Sequence, residues 1–118
     1  MEALFVEYPK CSTCQKAKKW LQEHQVEFTG RDIKEERPTS EELRDWHQRS
    51  GLDIKRFFNT SGMLYKEMKL KDRLPELSLE EKYDLLATDG MLVKRPVLVT
   101  KQGVFPGFKP EEWEKLIG

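Results

Sequence analysis

Short, nearly unbroken apolar runs near the two ends of this chain enclose a middle in which apolar residues recur every three or four positions. Runs of the first kind suit buried strands, and the longer period suits helices packed by one face. Residues 3–8 (ALFVEY) form the first run, bounded by Pro9, and predict a strand. From Ser12 the period changes. Cys14, Ala17 and Leu21 fall on one helical face with Trp20 beside them, and this helix is expected to reach His24 or Gln25. Residues 26–33 (VEFTGRDI) alternate apolar and polar and predict a second strand, with Gly30 as a bulge. A strand–helix–strand opening implies a right-handed crossover and a parallel strand pair.

Helical signals fill the middle. Thr39 and Glu42 make a capping box ahead of Leu43 and Trp46, and Gly51 closes that helix. Residues 53–58 (DIKRFF) predict a short helix and 59–62 (NTSG) a turn or loop. Ser78 and Glu81 form a second capping box, with Leu79, Tyr83, Leu86 and Ala87 on one face and Asp89-Gly90 at the end. Pro96 to Thr100, the turn Lys101-Gln102-Gly103, and Val104-Phe105 predict an antiparallel hairpin. Pro110 suits the first turn of a last helix carrying Trp113, Leu116 and Ile117. The order β-α-β, helices, β-β-α describes an α/β fold. Its 118 residues predict a single domain, 1–118, with a helical insertion at about 37–90.

Composition narrows the function classes. Lys plus Arg equals Asp plus Glu at 21 each, so no overall charge draws the chain to nucleic acid or an anionic membrane. Hydrophobic residues at 37% supply a core without a disulfide or metal staple. The opening MEALFVEYPK is interrupted by Glu7 and Lys10 too early for a secretory signal, and no apolar window is long enough to span a membrane. A cytoplasmic monomer is expected. In a reducing compartment a close cysteine pair points to redox or metal chemistry rather than a structural bridge.

The two cysteines, Cys11 and Cys14, lie in YPKCSTCQKAKKW at the junction of the first strand and helix. Three readings compete: a zinc half-site, a redox dithiol and two inert small side chains. Zinc lacks a second ligand pair, since His24 and His47 fit no ligand motif, so no metal is expected. Position favours redox chemistry. Residues at i and i+3 share a helix face. The free N–H groups and positive dipole end of the helix favour a thiolate at Cys11. Cys14, one turn inside, is placed to resolve a mixed disulfide, although it also sits on the apolar stripe. Lys10 abuts Cys11 and would favour its thiolate. Lys16, Lys18 and Lys19 read as a solvated helix face, and Ser12 and Thr13 as shaping the loop and helix start. His24 reads as a helix C-terminal dipole partner, His47 as surface or half-buried, and all three tryptophans as core. The local sequence favours a trans Arg95–Pro96 bond, because cis X-Pro bonds are uncommon.

The segments YPKCSTCQKAKKWL, FFNTSGMLYKEM, LLATDGMLVKRPVLV and GFKPEEW together resemble the arsenate reductase/Spx-like family of thioredoxin-like proteins over nearly the whole chain. The resemblance implies a four-stranded mixed sheet with a helical insertion, Cys11 as nucleophile and Cys14 as its redox partner. It also implies that Arg95, ahead of a cis Pro96, faces the active-site loop. Ser12, Thr13, Lys10, Pro96 and Lys109 complete the expected substrate-binding set.

The chain departs from the glutaredoxin-linked arsenate reductases, which use three arginines and a histidine before the nucleophile. Only Arg95 matches. Asn59 stands in the second arginine's place with Arg56 nearby, Lys109 in the third's, and Glu7 in the histidine's. Planar guanidinium forks suit a tetrahedral oxyanion better than an ammonium does, and a carboxylate at position 7 would oppose both anion and thiolate. These departures weigh against arsenate reduction itself. They leave a thiol–disulfide oxidoreductase recycled by glutathione, glutaredoxin or thioredoxin and holding no bound cofactor. The alternative is a Spx-like regulator that binds the RNA polymerase alpha subunit. Such regulators carry a tail beyond the last helix, whereas this sequence stops at Gly118.

Overall fold

The computed structural model describes residues 2–118. Strand β1 (Glu2–Glu7) leads through Pro9 into helix α1 (Ser12–Glu23), which returns the chain to β2 (Glu27–Asp32). The closing half is β3 (Val97–Thr100), β4 (Gly103–Pro106) and helix α6 (Pro110–Ile117). The sheet order is β2-β1-β3-β4. β1 runs parallel to β2 and antiparallel to β3, and β3 and β4 form an antiparallel hairpin. This is the four-stranded mixed sheet of a thioredoxin-like α/β fold.

β1 is central, so both of its faces are covered, which explains its unbroken apolar run. Ala3 and Phe5 point to a core with Ala17, Leu21, Leu98, Phe105 and Trp113, under α1 and α6. Val6 points the other way, with Val97 and Val104, into a larger core filled from the insertion. β2, one of the two edge strands, is exposed or half-buried throughout, in keeping with its polar alternation.

Between the strand pairs run α2 (Ser40–Ser50), a 3₁₀ turn (Ile54–Phe57), α3 (Met63–Glu67), α4 (Leu70–Arg73), a second 3₁₀ turn (Leu74–Glu76), α5 (Leu79–Thr88) and a third (Gly90–Leu92). Both expected capping boxes form. Thr39 Oγ1 accepts from Glu42 N at 3.1 Å, and Ser78 Oγ accepts from Glu81 N at 3.1 Å. Gly51 ends α2 at φ 69°.

Several local expectations are corrected. Gly30 is not a bulge: the register runs unbroken from Glu2↔Glu27 to Glu7↔Asp32. The 53–58 helix is a 3₁₀ turn, and the short α3 and α4 lack the length over which periodicity shows. Leu79 is 44% exposed, because it occupies the first position of α5, ahead of the packed Tyr83 and Leu86. Trp20 is half-buried, stacked on His24 at 3.8 Å, while Trp46 and Trp113 are core. The Arg95–Pro96 bond is cis, as the family resemblance implies and against the local preference.

Gly90 shows why the insertion closes tightly on the sheet. A Cβ there would lie 1.9 Å from the Ile33 carbonyl oxygen, so only glycine permits the approach.

Candidate active site

The turn that follows β1 sets the first cysteine. Cys11 N donates to Tyr8 O at 2.9 Å, and Cys11 holds extended dihedrals (φ −86°, ψ 124°) as the N-cap of α1. Its carbonyl already accepts from Gln15 N at 3.1 Å. Cys11 is half-buried, whereas Cys14 is fully buried with its sulfur 3.4 Å from Tyr8 N. Both are free thiols.

Their environments divide them chemically. Burial alone raises the Cys11 thiol. The N–H and thiol of Cys14, the N–H of Thr13 and the Arg95 charge outweigh it and leave Cys11 below its ordinary value. Burial pushes Cys14 up to about 12; the Tyr8 N–H opposes the rise, and the Cys11 side chain adds to it. One thiol is thus primed as a thiolate and the other is held protonated. No side chain caps α1 in the thiol form, so its opening N–H groups are free to solvate a negative sulfur.

Arg95 comes from beside β1, on the cis peptide ahead of β3, whose Val97 pairs with Val6. Its guanidinium lies 5.3 Å from the centre of the Tyr8 ring. Its Nε and Nη1 are buried and make no hydrogen bond. Buried donors are nearly always paired, so two unpaired guanidinium nitrogens on a residue that lines the Cys11 cavity single Arg95 out as a group lacking its acceptor. The loop after β4 completes this wall. Gly107 N donates to Pro96 O at 2.7 Å, and Trp113 Nε1 donates to Gly107 O at 2.8 Å. Gly107 takes φ 87°, a left-handed conformation that glycine adopts without strain.

The insertion supplies the opposite wall. Lys94 N donates to Phe57 O at 2.7 Å, Asn59 N to Leu92 O at 2.8 Å, and Phe58 bridges Val93. These bonds join the Arg56–Gly62 segment to the strand carrying Lys94 and Arg95. Together the two walls enclose a cavity of about 460 Å³. Cys11, Thr13, Arg95 and Lys109 line it, with Arg56, Asn59, Ser61, Lys94 and Phe105. Four cations face it and no carboxylate lines it.

The sequence-derived candidates therefore separate. Cys11, Thr13, Arg95 and Lys109 meet at one cavity. Cys14 lies behind Cys11, and Ser12 and Pro96 shape the frame without lining the space. Lys10 is exposed, does not line the cavity and is not among the groups that shift Cys11.

Glu7 does not oppose the thiolate as its position in the chain suggested. It is 6% exposed, and Lys18 Nζ sits 3.1 Å from its Oε2, so its charge is paired on the α1 side. Lys18 is correspondingly not a freely solvated lysine. His24 bonds the Trp20 carbonyl through Nδ1 at 2.8 Å, as a helix C-terminal partner should. His47 is half-buried, 2.6 Å from Tyr83 Oη. Lys94 was missed as a site residue. Its only signal in sequence is adjacency to Arg95, which in a strand would place it on the opposite face.

Comparison with known proteins agrees with this frame. The ArsC family profile matches residues 6–116. The Bacillus subtilis (strain 168) protein YusI is 50% identical over 115 residues, 98% of each chain. The regulatory protein MgsR of the same organism is 34% identical over 112 residues, 95% of this chain and 87% of its own. Among solved structures, a Bacteroides fragilis ArsC family related protein superposes with a TM-score of 0.95 at 59% identity, over 98% of each chain. An arsenate reductase from Vibrio cholerae superposes with a TM-score of 0.87 at 26% identity, again over 98% of each. By fold, by sequence and by the length of the match, this chain belongs to the ArsC family.

Proposed function

We propose that the protein is a thiol-dependent reductase that works by thiol–disulfide exchange. The observation that carries this reading is the opposed state of two neighbouring thiols. Cys11 is lowered at a helix start and open to a cation-lined cavity, while Cys14 is buried and raised. A nucleophile needs the first environment. A resolving thiol that waits until a mixed disulfide forms is served by the second.

The Cys11 thiolate attacks one sulfur of a substrate disulfide. That S–S bond breaks, a Cys11–substrate disulfide forms, and the other substrate sulfur leaves as thiolate. Cys11 is then no longer an anion, so its smaller contribution to raising Cys14 is gone, while the larger one, burial, is relieved only as far as the mixed disulfide opens the site. Cys14 loses its proton to solvent or the leaving thiolate and attacks Cys11 sulfur. A Cys11–Cys14 disulfide forms and the second substrate thiol departs. The substrate gains two electrons and the protein loses two. Glutathione, glutaredoxin or thioredoxin would return them.

Arg95 lines the cavity with two donors unpaired, and its guanidinium would meet an acceptor on the substrate beside the attacked sulfur. With Asn59 and Lys109 where the arsenate reductases use arginine, the cavity suits a carboxylate- or sulfonate-bearing disulfide better than arsenate. Cys14→Ser should accumulate a Cys11 mixed disulfide with oxidised glutathione, seen by intact mass, and Cys11→Ser should form none. Full activity in Cys11→Ser would end the proposal.

The likeness to MgsR, a regulatory protein, supports a second reading, a Spx-like redox-sensitive regulator that binds the RNA polymerase alpha subunit. Copurification with that subunit, altered by oxidation of the cysteine pair, separates the two.

A further inference from the structure

The Cys11 cavity does not end at its own walls. It shares Arg56 and Lys94 with a shallow depression of about 370 Å³. That depression shares Asp53, Lys55 and Phe58 with a third of about 150 Å³, set in the insertion between the 3₁₀ turn, α3 and α4. Lys71 and Lys82 line the third. The three depressions thus adjoin through shared lining residues, from the thiol to the insertion. Lys55, Lys71 and Lys82 extend the four cations already at the cavity, against one carboxylate, Asp53. The whole chain has no net charge, so this asymmetry is a property of these depressions and not of the composition.

None of these cations sits in an ion pair among the described residues, although Arg56 lies over the Phe105 ring at 5.7 Å, Arg95 over the Tyr8 ring at 5.3 Å, and Glu112 feels the charges of Lys109 and Arg56. Among the described residues the ion pairs are Lys18–Glu7, Arg31–Glu42, Arg44–Glu80, Arg49–Asp45 and Lys115–Glu112, and no groove cation belongs to any of them. Asp53 is already engaged, accepting from Lys55 N at 2.9 Å. Most of the groove cations are exposed. Ammonium groups on flexible stems recognise charge more than shape and act over the approach of a partner.

The aromatic residues decide which polyanion fits. Phe58 and Tyr65 are 1% and 7% exposed and pack edge to face with each other at 6.5 Å. Along the insertion they present no open ring on which bases could stack, as single-stranded nucleic acid requires. At the cavity Phe105 is buried, and the half-buried Phe108 is packed edge to face with Trp20 and Trp113. Carboxylates need no such platform.

We propose that this groove is a substrate site for a protein disulfide whose reactive cysteine lies in an acidic segment, an inference that rests on the thiol–disulfide reading above. The attacked sulfur sits at Cys11, a flanking carboxylate meets Arg95, and further carboxylates follow the lysines across the insertion. Cys11 sulfur bonds to the substrate cysteine and the substrate's own disulfide partner leaves as thiolate. Cys14 then releases the reduced cysteine, and a thiol reductant recycles the pair.

The test uses the full chain carrying Cys14→Ser. Three peptides of equal length are each activated as the mixed disulfide with thionitrobenzoate, with Glu, Gln or Lys around the cysteine. Release of thionitrobenzoate gives the rate of attack. Each rate is divided by that of mercaptoethanol on the same peptide, which removes intrinsic differences in reactivity. The Glu peptide should react at least about tenfold faster than the Lys peptide at low salt, and the difference should collapse at about 0.5 M NaCl. Lys55→Glu with Lys71→Glu and Lys82→Glu should slow the Glu peptide several-fold and leave the Gln peptide unchanged.

Equal normalised rates for the three peptides would overturn the substrate class while leaving thiol–disulfide exchange intact. Protection of Cys11 by a short single-stranded oligonucleotide, and not by a Glu-rich peptide lacking cysteine, would overturn it in favour of nucleic acid. If no peptide reacts with Cys11, the thiol–disulfide reading fails and the proposal with it. Should the charge-reversed protein misfold, the salt dependence of the unreversed chain decides the question alone.

Discussion

Arg95→Met should make the protein more stable and the site less capable. Two Arg95 guanidinium atoms, Nε and Nη1, are buried without a hydrogen-bond partner. A buried donor left unpaired costs about 1–3 kcal/mol. The guanidinium recovers part of this over the Tyr8 ring, at 5.3 Å, where such a contact contributes roughly 0.5–1 kcal/mol. Methionine has a similar reach and no donors, so it fills the space without the penalty. Taking the low end for each donor and the high end for the ring contact, the net gain is about 1 kcal/mol. For a domain of this size that is a rise of roughly 4 °C in melting temperature. The same variant should lose anion binding. Sulfate at about 100 times its Kd would stabilise the unmodified protein by about 2.7 kcal/mol, and Arg95→Met should lose most of that shift. Thermal and urea unfolding, with and without sulfate, read both effects. A variant destabilised by more than 1 kcal/mol without sulfate, or still fully stabilised by it, would refute the assignment of Arg95 as an unpaired anion receptor.

The two thiols should separate in a pH series of alkylation read by intact mass. Cys11 should react with a midpoint below its ordinary 9.0, and Cys14 should stay protected until near 12; indistinguishable midpoints would contradict the division of roles. The raised Cys14 also makes stability pH-dependent. The folded state holds this proton more tightly than the unfolded chain, so the contribution is complete below pH 9 and falls away as pH rises toward 12. Cys14→Ala should flatten that part of a urea-midpoint profile, and an unchanged slope would remove Cys14 as its source. Gly90→Ala should destabilise by about 2 kcal/mol or more, because its Cβ meets the Ile33 carbonyl and a packed backbone does not yield cheaply; a urea midpoint within error of the parent would show that this approach relaxes freely.

Much of the frame was legible in sequence because it depends on local rules. The apolar run of β1, the face formed by Cys14, Ala17 and Leu21, and the Thr39–Glu42 and Ser78–Glu81 boxes are each decided within a few residues. Cys11 was legible for the same reason, since its place at a helix start follows from a change of period alone. Other features depend on neighbours distant in sequence. Glu7 reads as a charge facing the thiolate until Lys18 is seen 3.1 Å from it. Gly30 reads as a bulge until the register with Phe5 is seen to run through it. Lys94 and Arg95, adjacent in the chain, both reach one cavity because the chain there is not yet a strand and bonds sideways to Phe57.

The sequence by itself determined the β-α-β and β-β-α halves and the place of Cys11 and Cys14 at the start of the first helix, because helix starts, caps and apolar periods are properties of short segments. Only the tertiary structure decided which cations share the Cys11 cavity, that Nε and Nη1 of Arg95 are buried without a hydrogen bond, and that further lysines line the adjoining depressions. Those facts arise where segments some 40 to 100 residues apart in the chain meet at the end of the sheet where β1 leaves and β3 enters. Local patterns carry no record of such meetings, because charge acts through space while periodicity is written along the chain.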